Sequence, residues 1–99
     1  FSKNSLITIG EYVLDKNERV LKKGDIVLKI TEKETHFISM LNFYKKSLSK
    51  NYILNKIWAY SSDTDTHTVE THIYRLRQKI QESFGDTDFI KNTKDGYSL

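Results

Sequence analysis

The hydrophobic pattern changes twice along this chain, and each regime predicts a different kind of element. Over the first thirty residues the apolar runs are short and broken by turn formers. Leu6 to Ile9 and Tyr12 to Leu14 flank Gly10-Glu11, Asp15 to Glu18 separates them from Arg19-Val-Leu21, and Lys22-Lys-Gly-Asp25 precedes Ile26 to Ile30. Such runs predict strands joined by tight turns, with Gly24 free to take a positive φ. The result is an antiparallel sheet of about four strands.

At Thr31-Glu-Lys-Glu34 the period switches. Thr followed three residues later by Glu is a capping box that satisfies two orphan backbone donors, so a helix is predicted to start there. Phe37, Ile38, Leu41 and Tyr44 or Lys45 keep helical spacing, Met40 fills space beside them, and Lys45-Lys-Ser47 ends the element. Ser49 is the next N-cap, opening a short helix over Lys50 to Ile57 with Ile53, Leu54 and Ile57 as its apolar face. Trp58 to Thr64 reads as a polar loop, after which Asp65 or Thr66 caps a third helix, about residues 66 to 82.

That third helix is the most informative segment. Val69, Ile73, Leu76 and Ile80 fall at i, i+4, i+7 and i+11, a narrow apolar stripe. The other face carries His67, Thr71, Tyr74, Arg75 and Gln78, flanked by Arg77 and Lys79. A solvated outer face usually shows Glu and Lys at i, i+4; this one shows hydrogen-bonding, flat and cationic groups suited to the DNA major groove. Gly85 is the expected helix C-cap. Phe89 to Asn92 and Tyr97 to Leu99 then read as strands of a hairpin around Thr93-Lys-Asp-Gly96. Sheet, three helices and hairpin, in that order, make an α+β winged helix-turn-helix, one domain over residues 1–99.

Composition narrows the function classes. A chain of 99 residues buries roughly 60 to 70% of its unfolded surface, so the core is small. With 12% aromatic residues, rings supply much of it. The absence of cysteine excludes disulfides and thiolate metal sites and suits the cytoplasm. No apolar run approaches the length of about 20 that spans a bilayer. Phe1 to Ser5 lacks the pattern of a signal peptide and is read as a remnant of an interdomain linker. The net charge of +3 fits a polyanionic partner, and between His67 and Lys79 the cations Arg75, Arg77 and Lys79 stand against Glu70 alone, with Lys91 and Lys94 forming a second basic spot. His67, Glu70 and His72 do not share one helix face, so no metal is expected. Without a nucleophile–base pair or glycine-rich phosphate loop, neither an enzyme nor a cofactor is expected. Glu70 is expected to pair with Arg77 or Tyr74.

Four segments in this order resemble the C-terminal effector domain of OmpR/PhoB-type two-component response regulators: Leu28-Lys-Ile-Thr-Glu-Lys-Glu34, Leu48-Ser-Lys-Asn-Tyr-Ile-Leu-Asn-Lys-Ile-Trp58, His67-Thr-Val-Glu-Thr-His-Ile-Tyr-Arg-Leu-Arg-Gln-Lys-Ile80 and Ile90-Lys-Asn-Thr-Lys-Asp-Gly-Tyr-Ser-Leu99. The resemblance covers nearly the whole chain. It implies transcription regulation through duplex DNA, an N-terminal receiver domain in the full-length protein, and dimerisation on two half-sites. It further implies RNA polymerase contact through Tyr60, Ser61, Ser62, Asp63 and Thr64, a loop whose Ser, Thr and Asp content departs from the family. At the wing position where the family often has Arg, this chain has Thr93 or Lys94, beside the phosphate-repelling Asp95.

Candidate contacts follow from residue chemistry. Arg75 suits guanine O6 and N7, Gln78 suits adenine, Thr71 suits a base edge or a thymine methyl, and Tyr74 a base or a phosphate. Lys50, His67, Thr68, His72, Arg77, Lys79, Lys91, Thr93, Lys94 and Tyr97 are candidate backbone or wing contacts, as is the Trp58 indole, for which core packing is the competing role. The alternative reading is a winged-helix module that binds protein without sequence-specific DNA binding. A steep salt dependence of binding separates the two.

Overall fold

The computed structural model describes residues 6–58 and 67–99, apart from the side chains of residues 58, 67 and 68. The expected linker at 1–5, polymerase loop at 60–64 and cap at 65 or 66 lie outside the described residues. Four strands, β1 (Leu6–Ile9), β2 (Tyr12–Asp15), β3 (Val20–Lys23) and β4 (Ile26–Lys29), pair antiparallel in sequence order. Their register aligns Ile7, Leu14, Leu21 and Leu28 in one row across the sheet. Leu14 and Leu21 are fully buried, so this row faces the helices. Strand β4 departs from the alternation expected of it, because it is an edge strand whose Ile26 and Val27 stay exposed.

One residue read as strand is a turn residue. The Asp15 carboxylate accepts the Asn17 and Glu18 backbone N–H groups. The turn so formed carries Arg19 to φ 58°, where its N–H donates to the Asp15 carbonyl at 2.8 Å. Strand β3 therefore begins at Val20.

Helix α1 (Glu32–Tyr44) opens on the capping box legible in the sequence. Thr31 Oγ1 accepts from the Glu34 N–H at 3.1 Å, and Glu34 Oε1 accepts from the Thr31 N–H at 2.9 Å. Lys45, in the left-handed region, closes it. Ser49 caps α2, whose Oγ accepts from the Tyr52 N–H, but α-helical winding lasts only from Lys50 to Ile53. Residues Leu54–Trp58 wind as a π-helical turn instead of continuing the predicted helix, and the Lys33 ammonium takes up the Ile57 carbonyl at 3.4 Å. The predicted apolar set survives this change: Ile53, Leu54 and Ile57 are all buried.

Helix α3 (His67–Phe84) lays Val69, Ile73, Leu76 and Ile80 into the core with Phe37, Ile38 and Leu41 of α1. Each of the four stripe residues is at most 1% exposed, and burying a side chain of this size contributes about 1.5 to 3 kcal/mol. After Gly85 the chain reaches β5 (Lys91–Thr93) and β6 (Gly96–Ser98). Phe89 and Ile90, expected in the hairpin, pack in the core ahead of it. The hairpin is tied back to the start of α2 by two backbone bonds, Leu48 N–H to the Tyr97 carbonyl at 2.9 Å and Tyr97 N–H to the Leu48 carbonyl at 3.0 Å. The first sheet is tied to the far end of α3 by Tyr12, which packs on Phe84 and Phe89 and donates to Asp86 Oδ2 at 2.7 Å.

Candidate nucleic-acid interface

The 18 residues of α3 make a rod about 27 Å long. With Val69 as origin and about 100° per residue, the buried stripe spans roughly −20° to 40°. Tyr74, Gln78, Thr71 and Arg75 then lie at about 140°, 180°, 200° and 240°, a contiguous outer face. All four are exposed, Tyr74 by 61%. Among the described residues no hydrogen bond or ion pair engages Tyr74, Arg75 or Gln78. The face therefore presents a guanidinium, an amide and a phenol to solvent on a rigid support.

The two flanks of the rod are braced. On one, Glu70 takes the Lys50 ammonium at 2.7 Å, a partner the sequence pattern did not suggest, and this hydrogen bond raises the lysine pKa. Further along, the Arg77 guanidinium reaches the Thr87 carbonyl at 3.5 Å. On the other flank Lys79 binds Glu34 Oε1 at 2.7 Å. There an open groove of about 580 Å³ runs between the N-cap and first turn of α1, residues 31–34, and His72, Arg75 and Lys79 of α3. Glu34 was legible only as a capping residue; its second role depends on a helix 45 positions away.

The hairpin carries Lys91 and Lys94 exposed, while half-buried Thr93 shares a hydrogen bond with Ser47 at 3.0 Å. Tyr97, a candidate wing contact, is 4% exposed, its ring edge-on to Phe37, and burial pushes its pKa up. Its ring belongs to the core because β6 is bridged to Leu48, which turns that side chain under α1. Lys50 sits in the first turn of α2 with its side chain about one-third exposed and its ammonium between Glu70 and the Tyr97 ring. The side chains of Trp58, His67 and Thr68 lie outside the description.

This arrangement, a half-covered sheet, a helix-turn-helix with an exposed outer face and a tethered hairpin, is that of winged-helix DNA-binding domains. Residues 25–99 match the family described as transcriptional regulatory protein, C terminal. The chain belongs to that family, the DNA-binding effector domains of OmpR/PhoB-type response regulators, which act in transcription regulation. It is 32% identical over 80 residues to the heme response regulator HssR of Staphylococcus aureus, a match covering 80% of this chain and 36% of that protein. The chain thus spans about a third of the length of the curated relatives it matches.

Among solved structures, the C-terminal domain of the nisin resistance regulator NsrR is similar at 30% identity and a TM-score of 0.74, with 93% of each chain covered. The DNA-binding domain of CadC from E. coli shares the fold at 18% identity and a TM-score of 0.81, covering 99% of this chain and 94% of that one.

Proposed function

We propose that this domain binds duplex DNA sequence-specifically, with α3 in the major groove and the 91–98 hairpin as a minor-groove wing. The observation that carries the reading is the division of α3: its apolar stripe is wholly consumed by the core, while Thr71, Tyr74, Arg75 and Gln78 project outward together. Arg75 is assigned to guanine O6 and N7 and Gln78 to adenine, with Thr71 and Tyr74 beside them. Lys50, Arg77, Lys91, Thr93 and Lys94 are assigned to phosphates, where they set position without reading sequence. Trp58, His67, Thr68 and His72 complete the proposed backbone set.

By relation to response regulators such as HssR, the domain is proposed to serve as the output of a protein with an N-terminal receiver, to pair on two half-sites, and to touch RNA polymerase through residues 60–64. No catalytic step is assigned to it. Among the described residues no helix is long and apolar enough to cross a membrane.

The test is selection of bound duplexes from a random pool, followed by titration of the winning sequence across salt. Enrichment of one motif is expected, with log K falling linearly in log salt by about 0.9 for each phosphate neutralised. Recovery of unrelated sequences with a flat salt response would contradict the proposal and favour a protein-binding module.

A further inference from the structure

We infer that Lys79 is a positioning residue, whose ion pair with Glu34 fixes the roll of α3 about its own axis and so the direction in which Arg75 and Gln78 meet base pairs. The inference rests on the base-reading role proposed above for that face. It also moves Lys79 out of the phosphate contacts to which its sequence position assigned it.

The argument starts from where Glu34 is anchored. Its Oε1 atom accepts from the Thr31 N–H at 2.9 Å and from the Lys79 ammonium at 2.7 Å, and its side chain is 11% exposed. The capping box makes the carboxylate part of the first turn of α1, so its place is set by α1 and not by α3. Lys79 is one helical turn beyond Arg75 on the same flank, about 40° away around the axis. Any rotation that carries Lys79 from Glu34 therefore swings Arg75 by the same angle. The close-packed apolar stripe keeps α3 seated in the core, and small changes of roll within that seat are restrained by directional, charge-assisted bonds. Directional restraint comes from the bonds on its flanks, among them Glu34 with Lys79 on one side and Lys50 with Glu70 on the other.

The burial of their carboxylate partners separates the two lysines. If Lys79 left for a phosphate, the enclosed Glu34 carboxylate would lose its counter-charge where water has little access, which is costly. Glu70 is 37% exposed, so water can replace Lys50 there. Lys50 remains able to swing to the DNA backbone, whereas Lys79 stays with Glu34.

The experiment titrates this chain and its Lys79→Met, Lys79→Arg and Glu34→Gln variants against the duplex selected for the unaltered chain and against a scrambled duplex, at several salt concentrations. Both charge-removing variants are expected to lower the preference for the selected duplex about tenfold, within the range of a single mismatched base pair. The salt slope on the scrambled duplex stays unchanged, and Lys79→Arg keeps discrimination within about twofold, since a guanidinium restores the pair. Glu34→Gln is the sharper arm, and it carries the test alone if Lys79→Met fails to fold. Removing an anion should by long-range electrostatics tighten DNA binding, yet positioning requires lost discrimination. A Lys79→Met variant that weakens both duplexes equally and reduces the salt slope by about 0.9 would mark a phosphate contact and overturn the inference. Unchanged discrimination in Glu34→Gln would overturn it as well. If the unaltered chain itself selects no motif, the failure lies with base reading and not with the brace.

Discussion

Replacing Gly96 by alanine is expected to detach the wing and cost more stability than a loop glycine normally would. At φ +146° the backbone already favours glycine, and a Cβ there would collide with the Leu48 carbonyl oxygen and stand 2.7 Å from the Leu48 carbonyl carbon and 2.9 Å from Ser49 Cα. All three atoms are backbone, so none can move aside alone. The segment must part from Leu48, losing the paired bonds between Leu48 and Tyr97. Each such bond contributes about 1 kcal/mol net. The strained φ adds about 1 to 3 kcal/mol for a side-chain-bearing residue. The sum, about 3 to 5 kcal/mol, is a large share of the roughly 5 to 15 kcal/mol that holds a domain folded. At about 4 to 8 °C per kcal/mol, the thermal midpoint should fall by at least about 12 °C. Circular dichroism melts of Gly96→Ala beside Gly24→Ala provide the assay, because Gly24 also has positive φ (+61°) but nothing within 4 Å of its virtual Cβ. Equal midpoints for the two variants would refute the argument from steric conflict.

Arg75→Ala should cost about 1 to 3 kcal/mol on the selected duplex and relax preference at one base pair, while Lys94→Ala should weaken all sequences alike; titration against single-base variants of the duplex distinguishes them. Equal losses from both on every sequence would remove the case for base reading by Arg75. Asp86 predicts a pH dependence. The Asp88 backbone N–H and the Tyr12 hydroxyl hold its carboxyl below the usual aspartate range. A depressed folded-state pKa stabilises the fold above the ordinary aspartate value of about 3.9 and ceases to do so as pH falls through the depressed value. Asp86→Asn should therefore melt below the unaltered chain at pH 7, with the gap closing under about pH 4. A gap that stays constant down to pH 2 would contradict the linkage.

Local signals carried most of the architecture. The Thr31–Glu34 capping box, the Ser49 cap and the stripe of Val69, Ile73, Leu76 and Ile80 are each set by residues within a few positions of one another, and each is present as read. Departures arise at one local turn the pattern did not reveal and where an element's place in the sheet or its winding decides. The Asp15 carboxylate turned Arg19 out of β3, the edge position of β4 exposed Ile26 and Val27, and the α2 segment widened into a π-turn after Ile53.

The site divides in the same way. The outer face of α3 follows from helical periodicity alone, so its membership was legible. The partners of its flanks were not: Lys50 meets Glu70 across 20 positions and Lys79 meets Glu34 across 45. No spacing rule within one helix reports such pairs. Tyr97 shows the converse, since a hairpin tyrosine looks available until the Leu48 bridge places it under α1.

The central claim is that the outer face of α3 meets nucleotide bases. Titrating the ¹⁵N-labelled chain with its selected duplex tests it most directly, because each backbone amide and each Arg and Gln side chain reports separately. Perturbations concentrated at positions 71, 74, 75 and 78, with the β1–β4 sheet left nearly unchanged, are the expected result. A sheet that shifts while those four positions stay still would contradict the account.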